Sequence, residues 1–320
     1  MKKSLDIFRA MADPTRLRIV ALLRAMELSV GELAQVLGQS QPRVSRHIKI
    51  LCDAGIAKRR KEGSWVFLCP GDADRTALLF GAMDGWHGSD PENHWAVADS
   101  ARLAAVRADR AAAAELYFSA HADEWDTLRS LHVPESAVEA AMAALLETTS
   151  IGRLVDVGTG TGRMLTLFGA QASHVMGIDR SPEMLRVARG KLSGTTLKSW
   201  DLRQGDIAAL PVADASADTV ILHQVLHYIP APERAVSELA RIVAPGGHVL
   251  IVDFAPHDRE ELRTQDAHTR LGFSDSQIQG WFAASGLALT KVDQLTGSAL
   301  TVKLWLGRRT VQNQEKASSL

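Results

Sequence analysis

Residues 154 to 165 read LVDVGTGTGRML: an apolar run closed by an acid, three glycines two apart, then the start of a second apolar run. The spacing predicts a buried strand over 153–158 and a helix starting at about Gly162. Glycine has no Cβ, so Gly158, Gly160 and Gly162 let the backbone turn sharply and approach a ligand at the mouth of the helix. Several nucleotide-binding folds share such a loop, so the flanking sequence has to choose among them. Here the spacing is G-x-G-x-G with Asp156 two residues ahead of the first glycine, and not G-x-G-x-x-G.

Working outward toward the C-terminus, the strand HVMGID ends in Asp179, 17 residues after Gly162. An acid at the end of a second strand can accept hydrogen bonds from both hydroxyls of a ribose. LRQGDIAALP puts Asp206 where a third strand ends, poised to accept from an adenine amino group, with Ile207 offering an apolar face to the ring. ADTVILHQ, a helix at 232–243 and PGGHVLIVDF then alternate as a parallel sheet requires. The ending differs from a dinucleotide fold. LALTKVDQL and ALTVKLWLG are joined by TGS, too short for a crossover, so the last strand is expected to run antiparallel.

DVGTGTG, GIDRSPEML, QGDIAALP, VLHYI and PGGHVLIVDF together resemble the successive motifs of the class I S-adenosylmethionine-dependent methyltransferases, over about residues 150–309. The resemblance implies a Rossmann-like α/β sheet that binds S-adenosylmethionine or S-adenosylhomocysteine, with no metal. Gly158, Gly160 and Gly162 would face the amino-acid part, Asp179 the ribose, Asp206 and Ile207 the adenine, and His223 and Gln224 the sulfur and any acceptor, with Asp156, Arg180 and Met184 also among the cofactor-binding residues. His223 and His227 are the candidate catalytic bases. A histidine matching His227 is common in the family, so an architectural role stands beside the catalytic one. This half of the chain has no cysteine, which counts against arsenite methylation and leaves the acceptor open. Tyr117, Phe118 and Trp125 lie together in the Ala-rich stretch 100–150, read either as core or as a helical lid that sets Tyr117 against the ligand.

Working outward toward the N-terminus, DPTRLRIVALLRAM sets Asp13 as a helix N-cap with Pro14 at the first position, and Leu17, Val20, Ala21 and Leu23 or Arg24 follow at helical spacing. Ser29 and Glu32 form a capping box ahead of Leu33, Val36 and Leu37, and Gly38 is the stop. A third helix after Ser40 buries Val44, Ile48 and Leu51 and ends at Gly55. IAKRRKEGSWVFL then reads as a basic hairpin. These elements make a winged helix-turn-helix, mainly α. Ser40, Gln41, Arg43, Ser45, Arg46 and Lys49 fall on the exposed side of the recognition helix, and Arg59, Arg60 and Lys61 extend the phosphate contact on the wing.

MADPTRLRIVALL, ELSVGELAQVLGQSQPRVSRHIKILCDAGI and the wing resemble the ArsR/SmtB family of bacterial dimeric repressors over about residues 4–70. Where many members carry thiolate ligands, this chain has Ser29 and Gly31, so the soft-metal site is absent and an inducer is expected elsewhere. DADRTALLFGAMDGWHG resembles the family's dimerisation helix, which implies a homodimer on a roughly palindromic double-stranded operator.

The composition accommodates both halves. The chain has 320 residues, 46% hydrophobic, enough for about two domains. Net charge is −1, yet residues 1–70 carry +7 and the remainder −8, so one end attracts polyanions. Cys52 and Cys69 are too few for a disulfide framework. No apolar stretch reaches the roughly 18 residues a membrane span needs, and the expected location is the cytoplasm. The domain reading is 1–88 for DNA binding and dimerisation, a linker at 89–99, a helical connector at 100–150, the methyltransferase-like domain at 151–309 and a disordered tail at 310–320. The combination resembles bacterial regulators of the methionine cycle that respond to S-adenosylhomocysteine.

Overall fold

The computed structural model describes residues 2–62, 65–71, 73–87, 94–121, 134–197, 199–297 and 299–310. It divides into two compact units, Met1–Ala112 and Ala113–Leu320. Trp125 and residues 311–320 lie outside the described residues.

The first unit opens on α1 (Lys2–Met11), a helix with no start signal in the sequence, and α2 (Pro14–Ala25). Asp13 caps α2 by accepting from the Arg16 N–H at 3.1 Å. The buried face of α2 is Ile19, Val20, Leu22 and Leu23, while Leu17 and Ala21 of the expected stripe are half-buried. The stripe broadens because α2 packs against α4 and the wing as well as α1. A two-residue strand β1 (Leu28–Ser29) leads into α3 (Val30–Leu37). There Ser29 Oγ accepts from Glu32 N and Glu32 Oε2 accepts from Ser29 N, so the capping box forms as read. Gly38 ends α3 at φ 65°, a left-handed conformation that costs glycine little. The recognition helix α4 (Gln41–Asp53) buries Val44, Ile48 and Leu51. β2 (Ala57–Glu62) and β3 (Trp65–Pro70) pair antiparallel, and β1 joins them in the order β1-β3-β2. α5 (Ala73–His87) and α6 (His94–His121) follow.

Of the stretch 89–99 expected as a linker, residues 94–99 are helical, and 89–93 lie outside the described residues. Pro91 is the last breaker there, and a buried stripe of Asp99, Leu103 and Val106 carries α6 onward.

In the second unit, β4 (Gly152–Val157), β5 (Ala172–Asp179), β6 (Trp200–Gln204), β7 (Ala217–His223) and β8 (Val243–Phe254) pair in parallel. β9 (Leu287–Thr296) and β10 (Thr301–Arg309) close the sheet, whose order is β6-β5-β4-β7-β8-β10-β9. β10 lies antiparallel to both its neighbours, as the short turn requires. Residues alternate between the two faces: Val220, Leu222 and Ile251 pack in one buried layer, Ile221, Leu250 and Val252 in the other. The chain runs outward from β4 through β5 to β6, then returns to place β7 on the other flank of β4. The strand order therefore reverses between β4 and β7, and the carboxyl ends of these strands frame the crevice where open α/β sheets bind ligands.

Candidate functional site

The glycine loop sits at that reversal. Gly158, Gly160 and Gly162 have φ of 69°, 51° and 80°, the left-handed region that a side chain resists. A Cβ at Gly158 would also overlap the Val225 side chain just beyond β7, so the loop packs tightly against that strand end. The amides of Gly158 and Thr159 both donate to the Ile178 carbonyl, at 2.7 and 2.9 Å. This pins the loop to the end of β5.

Asp179 at that end binds the loop from the other side. Its Oδ2 accepts from Gly160 N at 2.7 Å and its Oδ1 from Ser181 N at 2.9 Å. Each oxygen retains acceptor capacity for a hydroxyl. Burial pushes the Asp179 pKa up from the ordinary carboxylate value, and the N–H groups of Ser181, Gly160 and Arg180 oppose the shift without cancelling it. Ser181 Oγ caps the next helix, Pro182–Ser193, by accepting from Met184 N, which leaves Met184 buried in its first turn. Arg180 is exposed. Asp206 is exposed beyond β6, its Oδ1 accepting from Ala208 N at 2.8 Å in a local turn, and Ile207 beside it is half-buried.

Asp156, expected among the cofactor-binding residues, serves the loop itself. It is buried, and its Oδ2 accepts from the Thr159 hydroxyl at 2.6 Å, so it braces the loop from beneath. Across the reversal, Gln224 takes φ 53° while its N–H donates to Val252 O at 2.7 Å. A buried non-glycine residue in that conformation is strain of the kind that collects at ligand sites. Tyr117 lies on α6, and the position of its ring falls outside the described residues.

The two candidate bases separate. His227 Nδ1 meets Asp253 Oδ1 at 2.8 Å, its own N–H donates to Asp253 Oδ2, and both residues are buried. It joins the ends of β7 and β8, which is an architectural duty. His223 ends β7, with Nε2 3.7 Å from Glu135 Oε1 at the start of the helix Glu135–Leu146. That helix is held by a bidentate pair between Arg163, directly after Gly162, and Glu139, at 2.5 and 2.7 Å. Sequence reasoning missed Glu135 and Asp253. Asp253 carried a usable signal, an acid closing an apolar strand of a parallel sheet, as Asp179 does.

The face expected to read DNA is simpler. Ser40, Gln41, Arg43, Arg46 and Lys49 are exposed along α4, with Ser45 half-buried. Lys49 meets Asp53 at 2.9 Å in a surface pair worth little. On the wing Arg59 and Lys61 are exposed. Arg60 is a correction: it pairs with Glu27 at 2.5 Å and lies over the Phe67 ring, because alternation along β2 turns it to the opposite face from its neighbours. Nearby, Asp84 of α5 is bound bidentately by Arg24 of α2.

Residues 13–59 match the model of bacterial regulatory proteins of the arsR family, and residues 155–251 match the model of a methyltransferase domain. The chain is 41% identical to phosphatidylethanolamine N-methyltransferase of Cereibacter sphaeroides over 112 residues, 35% of this chain and 55% of that protein. It is 36% identical to demethylmenaquinone methyltransferase of Desulfitobacterium hafniense over 106 residues, 32% and 42%. With arsenite methyltransferase of Halobacterium salinarum it shares 34% over 103 residues, 31% and 26%. The chain thus spans about half or less of these relatives. Among solved structures, the Haloferax volcanii complex of the Trm112 activator with a methyltransferase shares the fold at TM-score 0.50 and 21% identity, covering 61% of this chain and 98% of that one.

Proposed function

We propose, on the premise that one chain joins an ArsR-family segment to a class I methyltransferase fold, that it is a transcriptional repressor whose methyltransferase unit takes S-adenosylhomocysteine or S-adenosylmethionine as effector. The observation that supports this reading is the pairing of two features in one chain. One is the exposed basic face of α4; the other is a left-handed glycine loop tied to an ionisable acid at the strand reversal. The residues fit an adenosyl group: the left-handed glycine loop turns tightly at the strand ends, Asp179 has acceptor capacity for a ribose diol, and Ile207 offers an apolar surface to the base. Gly158, Gly160 and Gly162 then face the amino-acid part, Asp206 the adenine amino group, and His223 and Gln224 the sulfur. Arg180 and Met184 flank the ribose, and Tyr117 of α6 closes over the ligand.

The reading places the protein in the cytoplasm as a homodimer on a roughly palindromic operator controlling methionine-cycle genes. The effector acts by binding the DNA-free form better than the bound form. A coupling of about 1–3 kcal/mol is enough.

A second reading, turnover on a small acceptor, is favoured by one observation, the His223–Glu135 pair at the sulfur side. A histidine backed by a carboxylate can hold the proton that an acceptor N–H or O–H gives up. Operator affinity titrated with each nucleoside, alongside transfer of labelled methyl groups into cell extract, separates the two. If neither nucleoside shifts operator affinity, the regulator reading fails. Label transfer lost in His223→Ala supports the second.

A further inference from the structure

α6 begins in one unit and ends in the other, crossing the division at Ala112 and Ala113. Its first half buries Asp99, Leu103 and Val106, one face at i, i+4 and i+7. Asp99 is 4% exposed, and a carboxylate so placed needs a partner. Arg18 of α2 provides it, with Nε to Oδ2 and Nη2 to Oδ1 both at 2.6 Å, a fork-to-fork pair. The guanidinium also lies over the Trp95 ring of α6, 5.8 Å from its centroid.

The same groups reach the DNA-reading motif. Arg18 Nη2 approaches the Leu37 carbonyl at 3.4 Å, and Arg102, one turn along α6 from Asp99, donates to the Val36 carbonyl at 3.2 Å. Both carbonyls lie in the last turn of α3, where helical N–H partners run out and a cation is favourable. The next residue is Gly38, which opens the turn that sets the direction of α4. Two cations gathered by Asp99 therefore close on the turn of the helix-turn-helix, and two of the three groups, Asp99 and Arg102, come from α6, outside the segment 13–59 that carries the ArsR likeness.

We propose that α6 is the linkage through which effector occupancy of the methyltransferase unit is read at the α3–α4 turn, with Arg18, Asp99 and Arg102 as its grip. The inference rests on the regulator reading above and adds its route. Over 28 residues the helix spans about 42 Å at 1.5 Å per residue. A shift or roll imposed at its far end arrives at Asp99 and Arg102 and moves both cations relative to the α3 carbonyls, tilting the recognition helix.

The test uses the full-length chain, an operator duplex selected from a random pool by the wild type, and S-adenosylhomocysteine. Three variants are compared: Arg102→Gln, Asp99→Asn, and the pair Ala112→Gly with Ala113→Gly, which softens the helix and keeps every charged group. Calorimetry is expected to give nucleoside uptake within about twofold of wild type in each. The effector-induced change in operator Kd is expected to fall to less than a third of the wild-type change. Should Asp99→Asn fail to fold, the other two variants carry the test. Variants that take up the nucleoside and keep the full wild-type response overturn the linkage and leave the regulator reading standing. A wild type that takes up none overturns both.

Discussion

The two units use charge in opposite ways. In the DNA-reading unit Arg43, Arg46, Lys49, Arg59 and Lys61 stand in solvent. In the methyltransferase unit Asp156 and Asp253 are 1% and 0% exposed, and Asp179 is desolvated enough to shift its titration upward. The contrast agrees with what each surface is proposed to recognise. A duplex is a polyanion that attracts from a distance and rewards exposed cations by releasing counterions. A neutral diol offers no such field. Its acceptor has to be directional and partly dry, and backbone N–H groups have to hold it in place. Long-range attraction and local geometry are thus kept in separate units of one chain.

The largest effect that could break this contrast is at Asp179. Replacing it with Asn keeps the shape and removes the charge from two charge-assisted bonds, so adenosyl affinity should fall about a hundredfold, roughly 3 kcal/mol. Operator affinity of the nucleoside-free protein should stay unchanged. The pH dependence has a definite sign. Because the folded pKa is raised, the carboxyl takes up its proton at a higher pH than an ordinary aspartate, and wild-type nucleoside affinity should drop as pH falls through that raised value. Folding stability runs the other way: the buried ionised form is the costly one, so this group's contribution declines as pH rises from the unfolded to the folded pKa. Calorimetry from pH 7 to 4 checks it. A pH profile in Asp179→Asn as steep as the wild type's would mean the ligand senses another group.

On the DNA side, Arg46→Ala should weaken operator binding by about 2 kcal/mol, some thirtyfold, with nucleoside uptake untouched. Arg60→Ala sharpens the comparison. Its charge is committed to Glu27, so operator affinity should stay within about threefold and the loss should appear instead as a lower melting temperature. Equal losses in both variants would place Arg60 on the duplex after all.

Why Arg60 was misread shows how far the sequence carries. Local physics was legible: the Ser29–Glu32 capping box, the Gly38 stop, the glycine loop and the antiparallel last strand each depend on residues a few positions apart. The run RRK announces charge, but strand alternation combined with a Glu 33 positions away decides which charges face solvent. The same holds for His223 with Glu135, His227 with Asp253, and Arg18 with Asp99, 81 residues apart. Each is fixed by the fold bringing two elements together, and no spacing within either element encodes it. α6 was half hidden for a related reason. Its start follows the breaker-rich SDPEN, and the buried stripe that sustains it appears only once α2 and α3 are in place.

A smaller effect tests whether the loop glycines are needed for their backbone. Gly162→Ala demands φ near 80° of a residue with a side chain, and sets its Cβ 3.3 Å from that of Ala188. The cost should be about 1 kcal/mol, a fall of about 2–4 °C in the melting of the methyltransferase unit. The transition of the DNA-reading unit should not move. An unchanged thermogram would show that the loop relaxes to accept a side chain.

The smallest effect separates the two ends of the same sheet. Asp218 opens β7 at the end opposite His223, accepting from Arg153 Nε, Nη2 and N at 3.0, 2.9 and 2.8 Å. The Arg153 guanidinium holds its pKa below the usual carboxylate range, the reverse of Asp179. Its stabilising contribution is therefore complete above the unfolded pKa and disappears as pH falls through the folded one. Both side chains are more than a third exposed, so solvent screening limits the loss in Asp218→Asn to about 0.5 kcal/mol. Urea midpoints of wild type and variant should differ slightly at pH 7 and converge once the pH has fallen below the lowered folded pKa of Asp218. Nucleoside affinity should not change at all, since in an open parallel sheet the amino end of the strands braces the fold and the carboxyl end meets the ligand. One aspartate is stabilised in its charged form where the sheet is anchored, the other is made costly to charge where the sheet is expected to bind. A variant at Asp218 that altered nucleoside affinity would show that this division of labour along the strands does not hold.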